Sequence, residues 1–224
     1  MILATCSSCE ARLVEVQFEN EGRTFSPAER RAIQDTADAV ARDARPLLPT
    51  LPTRLTLVVQ PGKDVIAETG ESATTTLPAT VYWIVDPDRD ILSTIRQELR
   101  PTLFHEMHHL VRDARVPRAT IMDSVISEGL ATAFERDLGN VNPPWGIAPP
   151  ENVAMEWTRE LLRQPDHASR KEWLFQHPDG RRWIGMRVGT FLVDRAMRAS
   201  GRHAAELASV PTEEILGLAG VRRE

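Results

Sequence analysis

The chain has 224 residues, 42% of them hydrophobic and 26% charged, which suits one globular domain or two closely packed lobes whose core needs no staples. Its 27 Lys and Arg against 32 Asp and Glu leave a net charge of -5; neither sign gathers in a block, which argues against a nucleic-acid partner. No apolar run approaches the ~20 residues needed to cross a bilayer, so a membrane-spanning chain is excluded and a water-soluble one expected.

In chain order, Cys6 and Cys9 come first, in a Cys-Ser-Ser-Cys that is the chain's whole cysteine content. A four-thiolate zinc ribbon would need a second such pair, so the two are read as incidental. Leu3 to Ser8 echoes the end of a bacterial lipoprotein signal, but a charged start and most of a hydrophobic region are missing. Cytoplasm is the default, with a periplasmic lipoprotein as the alternative if the true start lies upstream of Cys6.

Arg12 to Phe18 alternates apolar and polar residues, as a strand with one buried face does. Ser26-Pro27-Ala28-Glu29 reads as a capping box that opens a helix, which Pro46 and Pro49 end. Leu55 to Gln60 is a second β-rich run, closed by Pro61-Gly62. Gly70 to Ala79 is small, polar and threonine-rich, a loop or a weakly paired edge. Thr80 to Val85 is the clearest strand. From Asp90 the pattern is helical, with Pro101 either kinking that helix or opening a fresh one that runs to about Ala114. Another helix spans about Ala119 to Leu138 and stops at Gly139-Asn140. A proline-rich connection follows, and then helices at about 152–163, 182–200 and 212–218, broken by a polar loop around His177-Pro178-Asp179-Gly180.

The chemistry concentrates at His105-Glu106-Met107-His108-His109, which contains His-Glu-x-x-His. One turn apart on a helix, His105 and His109 share a face and can reach one metal ion. Leu103, Phe104, Met107, Leu110 and Val111 supply apolar surface for the core. Glu106 falls at the edge of such a site, where it can hold a water without ligating the metal. His108 points away from the pair, toward solvent or a supporting role. Glu128 follows His109 by 19 positions in Ser127-Glu128-Gly129; with Ile126 and Leu130 anchoring its helix on the other side, it is the third ligand candidate, and Gly129 would let two helices approach closely. Thr132, four positions after Glu128, is not an acid, so Asp123 and Glu135 are the candidates to support a ligand histidine.

His105 to Arg112 and Ile121 to Ala131 together resemble the predicted zinc-dependent proteases of the bacterial YjaZ type, a gluzincin-like group. The similarity spans about residues 81–193, with a weaker echo at Trp183 to Gly189. It implies an α+β, zincin-like fold: a small N-terminal sheet packed on the active-site helix, followed by a mainly helical C-terminal half. On that reading residues 1–224 form a single domain, with an α/β lobe at 1–115 and a helical lobe at 116–224. It also implies zinc, one per chain, on His105, His109 and Glu128, with Glu106 as catalytic base. The family's tyrosine in the Trp183–Gly189 segment is Met186 here.

A zinc hydrolase acting on a peptide or protein substrate is therefore expected, with water activated by the metal and Glu106 moving its proton. Thr80 to Val85 is either the sheet edge that aligns substrate or an internal core strand. Met186 cannot stabilise an oxyanion, so Arg187, then His177, then Tyr82 are the candidate donors. The rivals are a non-catalytic zinc-stabilised module, for which the unliganded Glu106 would have no use, and a small-molecule amidase, which would share every residue named. The sequence sets no oligomeric state.

Overall fold

The computed structural model of the chain describes residues 13–20 and 22–221; Cys6 and Cys9, and the expectations drawn from them, lie outside these residues. The architecture is α+β, a four-stranded mixed sheet followed by a largely helical second half. Strands β1 (Val14–Phe18), β2 (Leu55–Pro61), β3 (Glu71–Thr76) and β4 (Thr80–Val85) lie in the order β1-β2-β4-β3. β1, β2 and β4 are parallel, and β3 is antiparallel to β4. The crossover from β1 to β2 is helix α1 (Pro27–Ala44), which starts at the expected capping box: Ser26 Oγ accepts from the Glu29 N–H and Glu29 accepts from the Ser26 N–H.

The sequence left two alternatives open for each of two strands, and the structure decides between them. The threonine-rich stretch is a strand, β3, and it forms the sheet edge. Thr80 to Val85, in contrast, is internal, paired with β2 on one side and β3 on the other, so β4 offers no free edge to a substrate. Glu71, Ala73 and Thr75 pair with Val85, Trp83 and Val81, and paired residues share a sheet face. That face meets the helix that carries Thr102 and Glu106, because Thr75 hydrogen-bonds Glu106 and Glu71 hydrogen-bonds Thr102.

The helical run from Asp90 is continuous through Pro101. Helix α2 (Ile91–Thr94) passes through a π-helical turn (Ile95–Leu99) into α3 (Arg100–Asp113). A proline inside an α-helix lacks the N–H and crowds the carbonyl one turn back, and the widened turn just before Pro101 relieves both demands. Helix α4 (Ile121–Gly139) ends at Asn140, which is left-handed at φ 53°. Thr120 and Asp123 form a reciprocal capping box at its start, so Asp123 caps this helix.

Helices α5 (Glu151–Leu162), α6 (Arg170–Leu174), α7 (Ile184–Ser200), α8 (Ala204–Leu207) and α9 (Thr212–Leu218) complete the chain. α4 is buried along most of its length between α3 and α7. Gly129 does allow a close approach, but its partner is α7: a Cβ on Gly129 would lie 2.2 Å from the carbonyl carbon of Gly189, and one on Gly189 would lie 2.1 Å from the Val125 oxygen. The backbones of α4 and α7 thus touch one residue beyond Glu128, which fixes where that carboxylate stands. The buried apolar residues form a cluster that reaches from Val14 on β1 to Val221.

Candidate metal centre

α3 and α4 bring the three expected ligands together. Ligand atoms of His105, His109 and Glu128 all lie within 4.8 Å of one another, and all three residues are buried. The imidazoles sit one turn apart on α3 with ring centroids 4.6 Å apart. Glu128 Oε2 faces both, at 3.2 Å from His105 Nε2 and 3.4 Å from His109 Nε2.

Each histidine is held from behind. His105 Nδ1 donates to Glu135 Oε2 at 2.9 Å, so Nε2 is the nitrogen that would give up its proton and turn a lone pair to a metal. This was one of the two supporting acids the sequence offered. His109 Nδ1 meets Ser127 Oγ at 3.2 Å, and Ser127 Oγ lies 3.3 Å from Asp113 Oδ1. A consistent chain runs from the His109 Nδ1–H to the Ser127 oxygen and from the Ser127 hydroxyl to Asp113. Two imidazole nitrogens and one carboxylate oxygen, with both Nδ1 positions tied back, form a donor set that fits zinc better than magnesium or calcium.

The electrostatics favour a cation. Burial would lower the His105 pKa, but hydrogen bonds to Glu128 and Glu135 outweigh it and hold the imidazole well above its ordinary value. Burial would raise Glu128, but the charge of His109, the hydrogen bonds of both histidines and the charge of Arg118 hold it well below.

These groups line a cavity of about 350 Å³. Ala73, Thr74 and Thr75 of β3 form one side, and Trp145, Leu174, Phe175, Trp183 and Met186 supply apolar surface. Glu106 is buried, and Thr75 Oγ1 donates to its Oε2 at 2.5 Å, so the edge strand orients this carboxylate. Glu71, also at the cavity, accepts from Trp83 Nε1 at 2.8 Å and Thr102 Oγ1 at 3.2 Å; burial raises its pKa to about 7.

Residues 30–217 match the family described as predicted Zn-dependent protease (DUF2268). The chain belongs to this family. The match agrees with the resemblance carried by His105 to Arg112 and Ile121 to Ala131, and no curated protein matches the chain.

Within this family member the three expected oxyanion donors are elsewhere. Arg187, His177 and Tyr82 are not among the residues that line the cavity. Arg187 donates to the Pro144 carbonyl at 3.3 Å. His177 packs against Trp173 with the rings tilted by 50° and pairs with Asp179 at 2.9 Å. Tyr82 pairs with Thr74 on the parity opposite to Val81 and Trp83, so it stands on the sheet face away from α3. His108, expected at the surface or in a supporting role, is fully buried: its Nε2 donates to the Ala204 carbonyl at 3.2 Å and its ring packs on Phe134. The glycines of the Trp183–Gly189 segment serve packing, since a Cβ on Gly185 would meet Leu174 at 2.6 Å.

Sequence reasoning missed Arg118, Asp113, Ser127 and Thr75. Ser127 carried a signal, a polar residue beside Glu128 in an apolar helix. Arg118 carried none, because it lies in the irregular link between α3 and α4 and reaches the site only through the path of that link.

Proposed function

We propose that the chain is a zincin-like metallopeptidase, one domain of two lobes meeting near residue 115, with zinc held by His105, His109 and Glu128 and with Glu106 as general base. The observation that carries this reading is Glu106 itself: a buried carboxylate beside three convergent donors, not one of them, and oriented by its own hydroxyl partner. A site that served stability alone would close on four protein ligands and would not keep such a group.

When bound, zinc supplies Lewis acidity, which polarises a scissile carbonyl and eases proton loss from a water at neutral pH. Glu106 takes the proton of the attacking water at Oε1, the oxygen not engaged by Thr75, and returns it to the leaving nitrogen. Glu135 holds His105 in the tautomer that presents Nε2. The edge of β3 not paired with β4 borders the cavity and supports main-chain alignment of an extended peptide, the role the sequence considered for β4.

Glu106→Gln is expected to keep its metal and fold and to lose about 10²- to 10⁴-fold in kcat on a peptide library, because only a proton acceptor is removed. Hydrolysis equal to wild type in that variant, with metal bound, would overturn the catalytic assignment. Hydrolysis of small amides without any of peptides would favour the amidase.

A further inference from the structure

The two oxygens of Glu128 face different partners. Oε2 faces the histidine pair, whereas Oε1 accepts from Arg118 Nη1 at 2.7 Å. The other side of the Arg118 guanidinium meets Asp113 through a two-pronged contact, Nε to Oδ1 and Nη2 to Oδ2, each at 2.9 Å. Asp113 Oδ1 is also the atom reached by Ser127, the hydroxyl behind His109. The link that carries Arg118 is itself held by α6: Arg170 donates to the Arg118 carbonyl at 2.6 Å and to Ser124 on α4 at 2.7 Å. A planar guanidinium can bridge two carboxylates in fixed geometry in a way that an ammonium cannot.

We propose that Arg118 is a positioning residue that restricts Glu128 to one-oxygen ligation by engaging its second oxygen. The inference rests on the metal site proposed above. A carboxylate whose second oxygen is free can swing to bind a metal through both, which would add a fourth protein donor atom beside the water position and raise the coordination above four. A charge-assisted hydrogen bond to Oε1 opposes that swing, and Asp113 keeps the guanidinium from following it. Because Asp113 also reaches Ser127, one acid aligns the supports of two ligands.

The test uses the full chain loaded with Co²⁺ in place of zinc, read by visible absorption, which weakens as coordination rises above four. Arg118→Met is expected to keep one metal ion per chain, to show a cobalt band about threefold weaker than wild type, and to lose about 10- to 100-fold in kcat. Arg118→Lys keeps the charge but cannot bridge both carboxylates, and it should show the same spectral change to a smaller degree. Wild-type cobalt spectra in both variants would overturn the proposal, leaving Arg118 a structural ion pair. Outright loss of the metal in both would also overturn it, since ligation itself would then depend on Arg118. Failure of wild type to bind cobalt at all would instead strike the metal site.

Discussion

One face of α3 sets His105, Glu106 and His109 against the carboxylates of Glu128 and Glu135 and the hydroxyls of Thr75 and Ser127. Another face sets His108 and Arg112 against the main-chain carbonyls of Ala204, Ala208 and Val210. Both faces are polar and buried, and the partners decide what each does. Burial tends to lower both histidines, yet carboxylates lift His105 well above its ordinary value, while His108, with only a carbonyl to help it and the charge of His109 against it, falls well below. The first face attracts a cation; the second holds a neutral ring and a guanidinium as fasteners for the C-terminal segment.

The sharpest way to break this contrast is at Arg112. Its Nη1 donates to Ala208 and Val210 at 3.2 and 3.0 Å and its Nη2 to Thr212 at 3.2 Å; burial draws its pKa down to about 10 despite the nearby Asp113 and Asp123. Arg112→Met leaves two buried carbonyls without a donor and is expected to cost about 2 to 4 kcal/mol in urea unfolding. Metal content should be unchanged. Loss of metal with little loss of stability would show that the two faces are not separate.

A smaller effect is expected at Glu71, the carboxyl on the cavity side whose partners are neutral donors. Its folded pKa of about 7 lies above the ordinary 4.5. Between those values the unfolded chain sheds a proton that the folded chain keeps, so this group lowers stability as pH rises through that window. Glu71→Gln keeps an acceptor for Trp83 and Thr102, and in metal-stripped protein it should exceed wild type by about 1 to 3 kcal/mol at pH 8 and match it near pH 4. A difference independent of pH would mean that Glu71 is not held protonated.

Much of the cavity face was legible because it obeys local periods. His105 and His109 one turn apart, Glu106 beside them and Glu128 on the next helix all follow from spacing within α3 and α4. The parity of β4 also held the answer on Tyr82, since Val81 and Trp83 claim the face toward α3. The Thr-x-x-Asp pattern at Thr120 already marked Asp123 as a capping residue. What escaped depends on tertiary paths. β3 borders a cavity and is therefore polar, which hides its pairing with β4; α6 and α8 are too short to show a helical period; and Arg118 belongs to no element. The fastener role of His108 needs the C-terminal segment, almost a hundred positions away in the chain, and no local pattern records that.

The neighbours His108 and His109 give the most direct test. Zinc per chain, by elemental analysis after gentle purification, should be close to one in wild type and in His108→Gln, which retains a donor for Ala204, and close to zero in His109→Ala. Zinc near zero in wild type, or equal zinc in His109→Ala and wild type, would contradict the assignment of the cavity face of α3 as the metal centre.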